Sequence, residues 1–276
     1  MKPEKKSLFD ISGRVAVVTG GAGVLCSTLS RTLARRGVRV AVLDLAQDAA
    51  ERTAAGITAE GGQAVAFQGD VLDAASLQAA CDEIRSRFGR IDILINGAGG
   101  NKKEASTSPS LSFFDLPADA VRMVIDLNLL GTLLPSQVFG KAMAEAGEGV
   151  ILNISSMNAF RPLTRIPAYS AAKAAVSNFT QWLAVHLAQE YNPAIRVNAI
   201  APGFFLTEQN RYLLTDPASG ELSPRGKTIL AHTPMQRFGD PEDLVGAVVW
   251  LLSPAASFVT GVVIPIDGGF SAFSGV

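Results

Sequence analysis

The stretch Val15-Ala16-Val17-Val18-Thr19-Gly20-Gly21-Ala22-Gly23 decides how the rest of the chain is read. Five small or β-branched residues running into glycines predict a buried strand that ends in a tight turn, and Leu25, Leu29 and Leu33 carry on at helical spacing. A glycine-rich link between strand and helix lets a backbone approach a phosphate at the helix N-terminus. A tight strand-to-helix turn also needs glycine for steric reasons alone. Its place in the first βαβ unit favours the dinucleotide reading, with Gly20, Gly21, Gly23, Val24 and Leu25 as the candidate phosphate contacts.

Outward from that strand, short apolar runs recur between helical patterns at Val38–Asp44, Ala64–Gly69, Ile91–Asn96, Val150–Ile154, Ile195–Ile200 and Val262–Ile266. Strands alternating with helices predict an α/β fold: a doubly wound, parallel seven-stranded sheet with helices on both faces. Nearly all-apolar strands fit that arrangement, because helices cover both sides of the sheet. No repeat or linker divides the chain, so residues 1–276 are expected to form one domain. Residues 1–12 are expected to be a solvated tail. The irregular stretch 204–233, rich in Pro, Gly and mixed charge, is expected to be a substrate lid because it follows a strand.

Composition narrows the function classes. A formal net charge of -1 provides no global pull toward nucleic acid or anionic membrane. The first residues lack the apolar core of a secretion signal, and no apolar stretch runs long enough to span a bilayer before Gly, Pro or charge interrupts it. A cytoplasmic protein is the expectation. Two cysteines, Cys26 and Cys81, make neither a disulfide framework nor a zinc site, and both read as small buried residues. No metal is expected.

Asp44 closes the second strand, where a carboxylate can accept hydrogen bonds from the adenosine ribose and repel a 2′-phosphate. NAD is therefore favoured over NADP, although Arg35, Arg36 and Arg39 stand near enough in sequence to serve a phosphate. The competing role for Asp44 is capping the next helix. Asp70-Val71 after the third strand and Asn96-Gly97-Ala98 after the fourth are small or polar turns at the same sheet edge, suited to an adenine and ribose channel. Such residues are also ordinary turn formers.

In Tyr169-Ser170-Ala171-Ala172-Lys173 the tyrosine and lysine stand four apart at the start of a long apolar-periodic helix, hence on one face. A phenol titrates near 10, so a neighbouring positive charge such as Lys173 would help it exchange protons near neutrality. Alone, the pair could be a tyrosine packed on a lysine stem. Ser156, thirteen positions earlier at the end of the fifth strand, changes that weight by placing a hydroxyl beside the phenol. Ser155 competes with it, but neighbouring strand residues face opposite sides.

This combination resembles the short-chain dehydrogenase/reductase family over essentially the whole chain, from Gly13 to Gly269. The resemblance implies a Rossmann fold and a nicotinamide cofactor. It makes Tyr169 the general acid/base, has Lys173 lower the tyrosine's pKa and bind the ribose, and has Ser156 orient the reacting oxygen. It also implies that Asn128, in Asp126-Leu127-Asn128-Leu129-Leu130-Gly131, holds a proton-relay water. Pro202-Gly203 with Phe205 and Thr207 matches the nicotinamide segment, Asp267-Gly268-Gly269 the C-terminal signature, and the family's habit is the homotetramer. One departure stands out: the family's glycine spacing would put glycines where this chain has Val24 and Cys26.

The substrate side should comprise Gly100, Asn101, Lys102 and Lys103, then Asn158 and Arg161, and within the lid Gln209, Asn210 and Arg211. Arginine suits a carboxylate and amides suit hydroxyls, so an anionic polyhydroxy acid is the expected small-molecule partner. The segments Pro202–Arg211 and Asp267–Ser271 resemble the sugar-acid branch of the family, of the D-mannonate oxidoreductase or fructuronate reductase kind. Against this, loops are polar because they face water, and Arg161 and Arg165 could serve a subunit contact. The competing functions are a 3-oxoacyl reductase and a non-catalytic NAD sensor, the latter opposed by an intact Ser156, Tyr169 and Lys173.

Overall fold

The computed structural model describes residues 7–206, 214–216 and 219–275. In chain order the elements are β1 (Val15–Thr19), α1 (Val24–Arg35), β2 (Arg39–Asp44), α2 (Gln47–Ala59), β3 (Gln63–Gln68), α3 (Ala74–Phe88), β4 (Ile93–Asn96), α4 (Ala118–Ile125), α5 (Gly131–Ala146), β5 (Gly149–Ile154), α6 (Pro167–Glu190), β6 (Ile195–Pro202), α7 (Pro224–Ala231), α8 (Val245–Leu252) and β7 (Val263–Ile266). The strands form one parallel sheet in the order β3-β2-β1-β4-β5-β6-β7. Strand order reverses between β1 and β4, which opens a crevice beyond the carboxyl ends of the strands. Every expected strand is present, with bounds shifted by at most two residues.

Alternation along β1 shows why both of its faces are apolar. Ala16 and Val18 pack with Leu29 and Leu33 of α1 and Val248 and Leu252 of α8. Val15 and Val17 face the other way, toward Leu77 and Ile84 of α3, Phe139 and Met143 of α5, and Leu183 of α6. Each fully buried side chain of that size is worth about 1.5–3 kcal/mol against its exposed state. Ile11, inside the stretch expected to be tail, is 1% exposed and belongs to the first of these clusters.

Two further stretches sit differently in the fold than their composition suggests. The helical run 118–146 is long and apolar enough by length and composition to cross a membrane, with Asp126, Gly131 and Pro135 interrupting it as the sequence shows. Here it packs inside the fold, burying Asn128, Thr132 and Ser136 as well as Phe139 and Met143. Within 204–233, α7 occupies a stretch that showed no periodicity. Its start was readable: Ser223 caps it by accepting from the Gly226 N–H at 3.1 Å, and Pro224 follows at the first helical position.

Candidate active site

At the carboxyl edge of the sheet lies a cavity of about 640 Å³, within the roughly 300–1,000 Å³ range of ligand pockets. The ends of six of the seven strands and the N-terminus of α1 surround it. Among the expected cofactor residues it is lined by Gly20, Gly23, Val24, Leu25, Asp44, Asp70, Val71, Gly97, Ala98, Tyr169, Lys173, Pro202, Gly203 and Phe205. Thr207 lies outside the described residues.

The turn after β1 is built to hold an anion against backbone. Gly20 adopts φ +59, and a Cβ there would sit 2.8 Å from the Ala98 backbone, so the two turns close on one another. Among the described residues no side chain caps α1: Gly23 stands at its N-cap, and no acidic residue occupies its first turn. The N–H groups that open α1 therefore face the cavity without an internal acceptor, the arrangement that takes a pyrophosphate. Gly21 does not join them; its N–H bonds Leu43 O at 3.1 Å, and the residue packs on Val18 and Val42.

The Val24 and Cys26 departure resolves as a volume exchange. Cys26 is 4% exposed and its sulfur lies where a side chain at residue 97 would go, only 2.1 Å from a Cβ built there. Gly97 and Cys26 thus fit each other. Desolvation pushes the Cys26 thiol up to about 12, so it is a neutral packing group.

Asp44 accepts from the Ala22 N–H at 3.1 Å and the Ala46 N–H at 3.1 Å, joining the glycine turn to the end of β2. The three arginines that might have served a phosphate lie elsewhere. Arg39 opens β2, roughly 17 Å of strand from Asp44, and donates to Phe88 O. Arg35 pairs with Glu60 and Arg36 closes the far end of α1. Asn96 is a correction of another kind. Its side chain is buried in the core, donating to Ser136 Oγ and Asn153 Oδ1 at 2.9 Å each, and so ties β4 to β5 and α5 instead of lining the cavity.

On the opposite wall, Ser156 and Tyr169 line the cavity together, and the serine hydroxyl acts to lower the phenol's pKa. Strand parity separates the two serines as expected: Ser155 turns inward to Lys173 O at 3.1 Å and Ser177 Oγ at 2.7 Å, leaving Ser156 beside the phenol. Lys173 is 4% exposed, donates to Ile154 O at 2.8 Å, and lies 5.7 Å from the centre of the Tyr169 ring. Burial lowers its pKa to about 8, with Cys26 opposing. Desolvation holds Tyr169 above its ordinary value, with the Ser156 hydroxyl opposing it.

Asn128 sits in a single π-turn, Asp126–Leu130, between α4 and α5, a device that recurs at functional sites. It is fully buried. Its amide donates to Gly100 O at 2.7 Å and Val124 O at 2.8 Å, and its Oδ1 accepts from the Gly100 N–H at 3.2 Å. It does not line the cavity, yet only Gly99 separates it from Lys173: a Cβ at Gly99 would lie 2.7 Å from Asn128 Oδ1 and 3.3 Å from Lys173 Nζ.

The expected substrate residues are less gathered. Gly100 lines the cavity. Asn101 donates to Ser106 Oγ at 2.8 Å, Lys102 is exposed, and Arg161 donates through Nε to Ser271 O at 3.2 Å. Asn158 is buried behind Ser156. Gln209, Asn210 and Arg211 lie outside the described residues. The cavity also takes in Leu45, Gly69, Leu127 and Ile154, which sequence reading passed over; all are neighbours of residues it named, and apolar walls carry no chemical signature of their own.

Comparison with known proteins agrees with this geometry. Residues 24–271 match the sequence pattern of a family described as Enoyl-(Acyl carrier protein) reductase. An uncharacterized oxidoreductase of Bacillus subtilis, UxuB, is 48% identical over 97% of this chain and 98% of its own. A Haemophilus influenzae structure with NAD bound, provisionally described as a D-mannonate oxidoreductase, is 47% identical, covers 97% of this chain and 98% of its own, and superposes with a TM-score of 0.90. A gluconate 5-dehydrogenase from Burkholderia cenocepacia, in complex with NADP and tartrate, is 31% identical over 96% of this chain and 97% of its own, with a TM-score of 0.86. Matched along nearly its whole length, and with serine, tyrosine and lysine lining one cavity, the chain belongs to the short-chain dehydrogenase/reductase family and is an oxidoreductase acting on alcohol groups.

Proposed function

We propose that this protein is an NAD-dependent dehydrogenase that interconverts a secondary alcohol and a ketone on a sugar acid of the mannonate/fructuronate class. The observation that carries the reading is the near-full-length similarity to the NAD-bound Haemophilus influenzae structure described as a D-mannonate oxidoreductase. The tartrate complex of the gluconate 5-dehydrogenase, also a hydroxy acid in a related fold, supports the same substrate class. Asp44 at the end of β2, with Arg35, Arg36 and Arg39 all turned away from it, supports NAD over NADP.

In this reading Gly20, Gly23 and the open N–H groups of α1 hold the pyrophosphate, and Asp44 holds the adenosine ribose. The nicotinamide, when bound, supplies the two-electron acceptor for the carbinol carbon. Tyr169 takes the hydroxyl proton in oxidation and returns it in reduction, while Ser156 donates a hydrogen bond to the same oxygen. The positive ring of the oxidised cofactor adds to the charge of Lys173, whose ammonium keeps two further donors beside its bond to Ile154 O. Arg161, with Arg211 of the lid, is assigned the carboxylate, and Asn101 and Lys102 the distal hydroxyls. The domain is read as single, and the protein as cytoplasmic and a homotetramer, the last supported by Trp182 and Val185 standing more than half exposed on α6.

A spectrophotometric screen of aldonic, uronic and keto sugar acids with NAD(H) and NADP(H) tests this, with neutral polyols and 3-oxoacyl thioesters as the contrasting arms. Turnover confined to acyl thioesters or to polyols rejects the substrate class. Arg161→Ala should raise KM for acidic substrates more than for neutral ones; equal effects reject a direct anion contact there.

A further inference from the structure

Asn158 follows Ser156 by two positions, is 6% exposed, and does not line the cavity that holds Tyr169. Its Oδ1 accepts from the Leu163 N–H at 3.2 Å, which settles which end of the amide turns toward Ser156. That end, Nδ2, donates to Ser156 Oγ at 3.4 Å, and the backbone N–H of Asn158 donates to the same oxygen at 3.3 Å. Each bond is long and weak by itself. Together they occupy both acceptor sites of a hydroxyl that has a single proton to give. Ser156 faces the same cavity as the Tyr169 phenol.

We propose that Asn158 is a positioning residue: by filling the acceptor sites of Ser156 Oγ with N–H donors, it commits the Ser156 hydroxyl to donating toward the oxygen that gains or loses the proton. The assignment rests on the acid/base reading of Ser156 and Tyr169 given above. In reduction, the committed hydroxyl donates to the carbonyl oxygen as negative charge grows there. In oxidation it donates to the tyrosine oxygen before that oxygen accepts the alcohol proton. Asn158 itself touches neither substrate nor cofactor; it was expected on the substrate side because it follows the serine, and the structure gives it a place one layer behind.

The test uses the full chain with NAD and compares wild type, Asn158→Asp and Asn158→Ala. Aspartate keeps the shape of asparagine but presents an acceptor where Nδ2 stood, so it draws the serine proton away from the tyrosine. Alanine only releases the hydroxyl. The expected order of kcat is wild type, then alanine about tenfold lower, then aspartate about a hundredfold lower, with KM for NAD unchanged. A packing role gives the opposite order for the variants, since aspartate fills the space and alanine does not.

A second readout needs no substrate. The chain has three tyrosines, so a tyrosinate absorbance titration with Tyr169→Phe as the blank isolates Tyr169. Its ionisation should move to higher pH in both variants and further in aspartate. The other titratable groups at this cavity are Lys173 on the same helix, Cys26 on α1, Asp44 and Asp70, all unaltered by the substitutions. Wild-type kcat in Asn158→Asp, or a titration that does not move, overturns the proposal. If no secondary alcohol is turned over by wild type, the functional reading fails while the titration still decides the role of Asn158. If alanine loses NADH binding through misfolding, the isosteric aspartate variant carries the decision.

Discussion

The two ends of the cleft are built on different principles. The proposed cofactor end is made of backbone: turns after β1 and β4 meet through Gly20, Gly97 and Ala98, and the Asp44 carboxylate braces the glycine turn. The proposed substrate end draws on side chains of connections, namely the residues after Gly99 and the 157–166 loop, with Arg161 reaching across to the C-terminal stretch at Ser271. Backbone turns at a sheet edge are positioned by the sheet itself. Side chains on loops are positioned by one another, so specificity can change there without disturbing the dinucleotide cradle.

Separating the two ends gives the largest expected effect. Tyr169→Phe should lower turnover by at least about a hundredfold while leaving NADH binding intact, read by cofactor fluorescence beside steady-state rates. Retained turnover would remove Tyr169 from the chemistry. Asp44→Asn should weaken NAD use by about 1.5–3 kcal/mol, or roughly ten- to hundredfold, and narrow the preference over NADP, measured as the ratio of kcat/KM for the two cofactors. An unchanged ratio would mean that Asp44 only braces the turn.

Gly97→Ala probes the exchange with Cys26 and should cost about 1–3 kcal/mol in chemical denaturation, as expected for an overpacked site. Adding Cys26→Gly should recover part of that loss but not all, because the Thr19 carbonyl lies 2.8 Å from the new Cβ as well. Full additivity of the two changes would show that the residues do not share the space. The last effect concerns pH. With Lys173 held near 8 in the folded, cofactor-free chain against an ordinary 10.5, the unfolded state binds the extra proton between those values. Stability should therefore rise as pH climbs from about 8 to 10.5 and be lost as it falls back. Lys173→Met should flatten that rise in thermal unfolding.

The same contrast explains what could be read before the structure was seen. Strands covered on both faces announce themselves as unbroken apolar runs, and all seven were legible, as was the parity that sends Ser156 and not Ser155 to the phenol. Asn96 misled because it follows a strand as a turn residue would, while its amide serves a buried network with Asn153 and Ser136. Lys173 was legible as sharing a helix face with Tyr169, but its bond to the Ile154 carbonyl was not, because that partner comes from β5. Asn158 and Arg161 were placed on the right loop, yet a loop's partners, here Ser156 and Ser271, come from tertiary proximity that spacing does not encode.

The π-turn at Asp126–Leu130 has a consequence for how this helical run can change. It lodges one surplus residue between α4, which packs on α6, and α5, which covers β4 and β5. A residue on a regular α-helix advances by about 100°, so one lost from within α4 or α5 would turn one face against the other by that angle, whereas one lost from this turn would heal the hydrogen-bond ladder with the two faces still in phase. The irregular turn therefore works as a phase buffer between two faces with different obligations. Natural length variation within the run should fall at this turn and be excluded from α4 and α5 themselves.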